Sequence, residues 1–251
     1  MNIVVLIKQV PDMNAVKIDR ATGIPIPGAQ SVVSSYDEYA VEEALLLKER
    51  LGGEVVVVSA GPPSAKDAIT RALAMGADRG LLIETPDINE RDTLAVAQLL
   101  ADQLRPIPFD LILAGQTADD YESGQVGAQV AEILGLPLVS SVVALTVDGE
   151  QLQLRRDMED GYQTITAPLP AVVLASTGLN EPRYPSLKGI MAAKRKPLDR
   201  IAADPISDNA RLSWGAPFVP ARDSAGTIVQ DLPPTEAAQR LVTWLREQKL
   251  I

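Results

Sequence analysis

Short apolar runs and helix-patterned stretches take turns along the first 136 residues, and that rhythm leaves few folds open. The runs are "NIVVLIK" (2–8), "EVVVVSAG" (54–61), "RGLLIE" (79–84) and "FDLILAG" (109–115). The second is rich in valine throughout, as a parallel strand covered on both faces has to be. Helical patterns follow each in turn: "DEYAVEEALLLKERLGG" (37–53), "SAKDAITRALAMG" (64–76), "DTLAVAQLLADQL" (92–104) and "GQVGAQVAEILG" (124–135). In the first, Val41, Ala44, Leu45 and Lys48 recur at three- and four-residue spacing, and Gly52-Gly53 stops the pattern. In the second, Ser64 stands where an N-cap is expected and Gly76 where a helix ends. Strand–helix alternation predicts an α/β chain with a doubly wound, mostly parallel sheet. Such sheets take ligands at the C-terminal ends of their strands, around the point where the strand order reverses. Here those ends read "IKQVPD", "SAGPP" and "AGQTADDYESGQVG".

Beyond Pro137 the pattern changes. Segments 138–147, 150–158, 161–167 and 170–176 read as strands, with Asp148-Gly149 and Asp160-Gly161 at hairpin turns. They predict an antiparallel excursion leading into a last sheet strand. A basic, proline-punctuated stretch follows, "NEPRYPSLKGIMAAKRKPLDR" (180–200), in an otherwise acidic chain. Residues 202–234 carry many turn formers and little periodicity, as in an arm laid across another surface. A final helix is predicted over 235–250, with Ala238, Leu241, Val242 and Leu245 on one face. The expected division is an α/β body over 1–201 and an arm with a helix over 202–251.

Composition excludes several chemistries. The chain has no Cys and no His, so disulfides, thiolate nucleophiles, Ser-His-Asp triads and the usual zinc sets are ruled out. No side chain here is a two-electron carrier, and any electrons handled must travel on a bound cofactor. A net charge of -10 argues against nucleic acid as a partner. No run approaches the roughly 18–20 apolar residues of a membrane span, and the N-terminus is too weakly basic for a signal peptide. The expected location is the cytoplasm.

The loop "AGQTADDYESGQVGAQV" (114–130) is the strongest local candidate for a site. A strand ends, a small-residue loop follows, and a helix begins near Ser123-Gly124-Gln125-Val126-Gly127 with its backbone N–H groups directed outward. That arrangement suits phosphate. Ser123 is placed to cap or donate, and Gly124 and Gly127 let a ligand come near the backbone. Asp119, Asp120 and Glu122 fit an anion poorly unless they bind ribose hydroxyls or a facing subunit. An N-capped helix after an acidic loop is the plainer reading. Ser34-Ser35-Tyr36-Asp37 is likewise either a capped helix start or a second pocket wall, and "SAGPP" (59–63) offers a third wall in which Ala60 and Gly61 would admit a flat ring. No Walker pattern and no GxGxxG is present. Leu187, between Ser186, Lys188 and Gly189, has no evident core to enter; it is either tucked under its own loop or presented outward.

"YDEYAVEEAL", "VVSAGPPSAKDAITRALAMGADRG", "LILAGQTADDYESGQVG", "RRDMEDGYQTITAPLPAVV" and "NEPRYPSLKGIMAAKRKPL" together closely resemble the beta subunits of electron transfer flavoproteins, in order from the first strand to about residue 201. The resemblance implies a Rossmann-like, adenine nucleotide alpha hydrolase-like fold and a heterodimer with an alpha subunit, on which the 202–251 arm would pack. It implies a non-catalytic electron-transfer subunit: redox-active FAD held mainly by the alpha subunit at the interface, and a structural AMP in this chain. Electrons would come from acyl-CoA dehydrogenases and related flavoenzymes and pass to a membrane quinone oxidoreductase. Carried over by motif, the AMP pocket comprises Leu6, Ser34, Ser35, Tyr36, Asp37, Ala60, Gly115, Gln116, Thr117, Ala118, Asp119, Asp120, Tyr121, Glu122, Ser123, Gly124, Gln125 and Val126. Phosphate would meet Gly124, Gln125 and Val126. By the same resemblance the leucine of the "PRYxxL" motif, here Leu187, would plug into partner dehydrogenases, with Tyr184, Pro185, Ile190 and Met191 around it and Lys194, Arg195 and Lys196 steering. Asp157 matches an acidic residue that bridges to the alpha subunit; read locally, it is a solvated hairpin charge. The chain departs from relatives at Ser34-Ser35, where Asn-Pro is usual, at Tyr121, and at Met13 and Asn14, where some place a tyrosine over the flavin. An electron-bifurcating variant would hold a second FAD in place of AMP, and a stand-alone nucleotide-hydrolysing enzyme is a further, lesser alternative.

Overall fold

A computed structural model of the chain describes residues 1–19, 22, 26, 28, 30–88, 91–203, 212, 215, 226 and 228–251. It divides into two compact units, Met1–Ala216 and Pro217–Ile251.

The first unit is built on the predicted alternation. Strands β1 (Ile3–Leu6), β4 (Val55–Gly61), β5 (Arg79–Glu84) and β6 (Leu111–Gly115) are parallel, and helices α1 (Ser35–Leu51), α2 (Lys66–Met75), α3 (Thr93–Leu104) and α4 (Val126–Leu134) run between and after them. Among the described residues the sheet has the order β11 (Leu198–Ala202), β5, β4, β1, β6, β10 (Ala171–Ala175), β7 (Leu138–Asp148), β8 (Gln151–Met158), β9 (Gly161–Pro168). It is therefore the predicted doubly wound α/β sheet, and it reverses between β1 and β6, where Leu6 lies in register with Ala114.

Why the strands are apolar without interruption is visible in the core. Ile3 and Val5 of β1 face α1 and α2, whereas Val4 and Leu6 face α3 and α4. Alternate side chains thus enter two different cores, and neither face of the strand meets water. Full burial of each such aliphatic side chain contributes about 1.5–3 kcal/mol.

β7 (Leu138–Asp148), β8 (Gln151–Met158) and β9 (Gly161–Pro168) form the expected antiparallel excursion, and β10 (Ala171–Ala175) returns to lie parallel between β6 and β7. Gly149, at φ +59°, makes the first hairpin turn. Two short strands that the sequence did not reveal, β2 (Gln9–Pro11) and β3 (Ser31–Val33), pair with each other across 19 intervening residues. The basic stretch is not a bare loop: it contains α5 (Leu187–Ala193) and runs into β11 (Leu198–Ala202), which extends the sheet beside β5.

The Ser64 cap does not form. A 3-10 turn over Pro63–Ala65 precedes α2, and the Ser64 hydroxyl donates instead to Gln9 Oε1 at 3.1 Å. In the second unit α6 (Pro234–Glu247) carries exposed Leu241, Val242 and Trp244. Most of the expected arm over 202–234 lies outside the described residues. Among the described residues no helix is long and apolar enough to cross a membrane.

Candidate functional site

The C-terminal ends of β1 and β6 meet at the switch point, and an open cleft lies over them. What holds the two strand ends at a fixed distance is Asp37, from the first turn of α1. One carboxylate oxygen accepts from Lys8 N at 2.7 Å, just past β1; the other accepts from Gly115 N at 3.0 Å, at the end of β6. Burial pushes its pKa up to about 7, against the two backbone N–H donors that favour the charged form. Gly115 has to be glycine here, since a Cβ would lie 2.5 Å from Asp37 Oδ1 and 2.9 Å from its backbone N.

The loop after β6 is fixed by its own polar side chains. Gln116 N donates to Ala175 O at 2.8 Å, and Gln116 Oε1 accepts from Ser141 N at 2.6 Å. The acidic cluster, awkward for an anion site when read as sequence, is turned to internal work. Asp119 accepts from Ser35 N at 2.8 Å and Ser35 Oγ at 2.7 Å, while its own N–H donates to Ser34 Oγ. Asp120 pairs with Lys8 Nζ at 2.7 Å, and that ammonium also sits 4.7 Å above the Tyr121 ring. The carboxylates therefore tie the loop to α1 and β1, and they leave its glycine-rich end facing the cleft.

At that end Gly124 adopts φ +62°, a left-handed conformation that favours glycine, and α4 begins at Val126. The helix start is one to two residues later than the sequence suggests, and Ser123 does not cap it. Among the described residues no side chain caps α4, whereas Asp92 caps α3 by accepting from Ala95 N at 2.7 Å. The first-turn N–H groups of α4 have no acceptor within the helix and lie at the positive end of its dipole. Gln125 is held by Thr93, whose hydroxyl donates to Gln125 Oε1 at 2.8 Å. Close by, Thr117 Oγ1 is buried in the cleft wall with no hydrogen-bond partner among the described residues. Gly127 lines the cleft and is also required for packing, because a Cβ there would fall 2.6 Å from Leu174 of β10.

Of the predicted pocket residues, Leu6, Asp37, Ala60, Gly115, Gln116, Thr117, Ala118, Tyr121, Ser123, Gly124, Gln125 and Val126 line the cleft. Ser34, Ser35, Tyr36, Asp119, Asp120 and Glu122 do not; Ser35, Asp119 and Glu122 border a neighbouring groove with Met13, Asn14 and Tyr184. The structure adds Lys8, Ile88, Arg91, Thr93, Val96 and Leu100 to the cleft. Most of these belong to α3 or the turn before it. Sequence reasoning read that segment only as a capped helix, and nothing local signals that the helix stands opposite the β6 loop.

On another part of the surface, Leu187 is the first residue of α5 and is 82% exposed; Tyr184 is 87% and Met191 68% exposed, and Ile190 is also exposed while Pro185 is half-buried. Leu187 is thus not tucked under its own loop. Lys196, grouped with the steering charges by sequence, turns inward and donates to backbone carbonyls of the α2 terminus. Asp157 lies exposed on β8, opposite Tyr162 of β9.

Comparison with known proteins shows the family. The model of the electron transfer flavoprotein domain family matches residues 27–206. The electron transfer flavoprotein subunit beta of Bacillus subtilis is 38% identical over 99% of this chain and 98% of its own length. That of Clostridium acetobutylicum is 39% identical over the full length of both. A subunit of the caffeyl-CoA reductase–Etf complex of Acetobacterium woodii, CarD, is 36% identical, again over the full length of both. The chain belongs to the electron transfer flavoprotein family, among its beta subunits.

Proposed function

We propose that this chain is the beta half of a two-subunit cytoplasmic electron carrier, with AMP bound as a structural ligand in the switch-point cleft. The observation that carries the reading is the uncapped N-terminus of α4, which opens into that cleft beside the buried, unpartnered hydroxyl of Thr117. A helix start of this kind suits a phosphate. The backbone of Gly124, Gln125 and Val126 would hold the phosphate, Thr117 would give its hydroxyl a partner, and the apolar wall at Leu6 and Ala60 would accept the adenine ring. Asp119 and Asp120 are already engaged within the protein and do not repel the anion from the front. Asp37 acts at one remove, by setting the distance between the strand ends that form the two walls.

In this reading the chain contributes no catalytic residue. FAD, held mainly by the alpha subunit at the interface, supplies the redox chemistry when bound. The present chain supplies a rigid half of the carrier and a docking surface. Leu187, with Tyr184, Ile190 and Met191, enters an apolar pocket on acyl-CoA dehydrogenases or related flavoenzymes, and Asp157 meets the alpha subunit. Electrons then leave toward a membrane quinone oxidoreductase. The exposed face of α6, with Leu241 and Trp244, is suited to lie against the alpha subunit.

The test is to purify the chain with its alpha-type partner, extract nucleotide with acid and quantify it by chromatography. One AMP and one FAD per heterodimer is the expected result. Two FAD and no AMP would replace this reading with that of a bifurcating carrier, a second reading given weight by the relative named for a caffeyl-CoA reductase–Etf complex. Absence of any nucleotide beyond one FAD would overturn the cleft assignment.

A further inference from the structure

The stretch 180–196 that presents Leu187, a docking arm separate from the 202–251 segment, has almost no apolar anchorage of its own. α5 has seven residues, too few to be stable as an isolated helix, and only Ala193 among them is buried. Yet polar contacts fix the arm on both sides of the helix. Upstream, Asn180 Nδ2 donates to Tyr39 O and to Glu43 Oε2, each at 3.0 Å. Arg183 then closes a double clamp on α1. Its backbone N–H donates to Glu42 Oε2 at 3.1 Å, its Nη2 donates to Glu42 Oε1 at 2.8 Å and its Nε to Glu42 Oε2 at 2.9 Å, and its Nη1 bonds Glu49 Oε1. Glu42 and Glu49 stand seven residues, or two turns, apart on one helix face, so a single planar guanidinium spans both. The Glu42 carboxylate is nearly buried, at 5% exposure. The Glu49 carboxyl is held below its usual range by the Arg183 hydrogen bond.

Downstream, Lys196 Nζ donates to Leu73 O at 2.9 Å and Ala77 O at 2.5 Å. Leu73 lies in the last turn of α2, where carbonyls have no partner within the helix and the dipole end is negative. Lys196 therefore works as a cap supplied from a distant part of the chain. Between the two clamps, Gly189 crosses the same helix end, and a Cβ there would run into the Ala74 carbonyl oxygen.

We propose that Arg183 and Lys196 are positioning residues for docking: they lock α5 against α1 and α2 so that Leu187 is held in its binding geometry before a partner flavoenzyme arrives. This rests on the reading of Leu187 as the docking side chain. The physical benefit is that the ordering of the arm is done at folding rather than at each encounter, which would otherwise weaken association. A carrier that must meet several partners gains from a rigid anchor, since the apolar tip then enters each pocket without rearranging first.

The experiment uses the assembled heterodimer with an acyl-CoA dehydrogenase as electron donor. Lys196→Met is expected to raise the KM for the dehydrogenase about five- to twentyfold with kcat within about twofold, to speed amide hydrogen exchange across residues 186–193, and to leave AMP and FAD content unchanged. Lys196→Arg should restore most of both. Arg183→Gln alone leaves Glu42 buried without its partner, and so is paired with Arg183→Gln/Glu42→Gln, which removes both sides of the clamp. In a double-mutant cycle, Leu187→Ala should have a smaller effect on the Lys196→Met background than on the wild type, because a loosened arm has already lost part of what Leu187 provides. The outcomes separate the two claims. If Leu187→Ala alone leaves the KM unchanged, the docking reading fails. If Leu187→Ala raises the KM but neither clamp variant changes KM or amide exchange, docking stands and the positioning role is refuted. Strict additivity in the cycle also refutes it.

Discussion

The cleft and the arm differ in what they leave unsatisfied. In the cleft, the aliphatic side chains are packed and the polar groups are short of partners: Thr117 has a buried hydroxyl with none among the described residues, and α4 has no side-chain cap. On the arm the polarity is reversed. Arg183, Lys196 and the Asn180 amide nitrogen are all bonded, although Asn180 Oδ1 is not, while Tyr184, Leu187 and Met191 stand in solvent. A protomer that folds with polar groups waiting calls for a polar ligand, and one that folds with aliphatic groups waiting calls for an apolar partner surface. One chain does both, at two places, and the difference tells which kind of molecule belongs at each.

The largest effect is expected where the cleft's own frame is broken. Gly115→Ala forces a Cβ into Asp37 and the backbone behind it. It should lower stability by about 3 kcal/mol or more and abolish nucleotide retention, read by thermal unfolding and by extraction of the purified heterodimer. Retention of the nucleotide with an unchanged Tm would mean that the Asp37 brace does not shape the cleft. The next effect concerns the brace itself. Burial raises the Asp37 pKa from 3.8 to about 7, so the folded state binds this proton more tightly than the unfolded state does. Its contribution is complete below the unfolded value and is lost as pH rises through about 7. In nucleotide-stripped protein, stability relative to Asp37→Asn should therefore fall between about pH 4 and 7, by at most about 1.4 kcal/mol per unit, and level off above. A flat difference across that window would remove the coupling between burial and charge.

How much of this was legible beforehand depends on the range over which each feature is determined. The four buried strands and their helices could be read from residues 2 to 135 because their periodicity is local, and a reversal of strand order followed from the fold class. Half of the cleft, the loop from Gly115 to Val126, was readable for the same reason: strand, small residues and helix start are contiguous. The other half was not. Thr93 and Arg91 reach the cleft only because α3 packs beside α4, a relation set by sheet order and not by neighbours in sequence. Asp119 and Asp120 read as an awkward acidic cluster because their partners, Ser35 and Lys8, lie 84 and 112 residues away. α5 was invisible because its propensity is not what holds it; Arg183 and Lys196 do. β2 and β3, three residues each, are too short to carry a period at all.

The arm offers the next comparison. Leu187→Ala removes an exposed side chain worth about 1.5–3 kcal/mol once buried in a partner, so the KM for an acyl-CoA dehydrogenase should rise roughly ten- to a hundredfold. Thermal stability should not change, since the residue is 82% exposed in the free protomer. An altered Tm would mean that Leu187 packs within its own chain.

The smallest expected effect tests the other half of the contrast. Thr117→Val keeps the shape of the side chain and deletes only the hydroxyl that lacks a partner. If that hydroxyl waits for a ligand, the nucleotide-stripped protein should be as stable as wild type or more so, by about 1 kcal/mol, because a buried polar group without a partner has been removed. The same variant should hold its nucleotide severalfold less tightly, since one hydrogen bond to the ligand is gone. The two measurements must move in opposite directions for the contrast to hold. A Val variant that loses stability when stripped would show the hydroxyl already bonded inside the protein, and one that binds nucleotide as tightly as wild type would show that the cleft recognises its ligand through the α4 backbone alone.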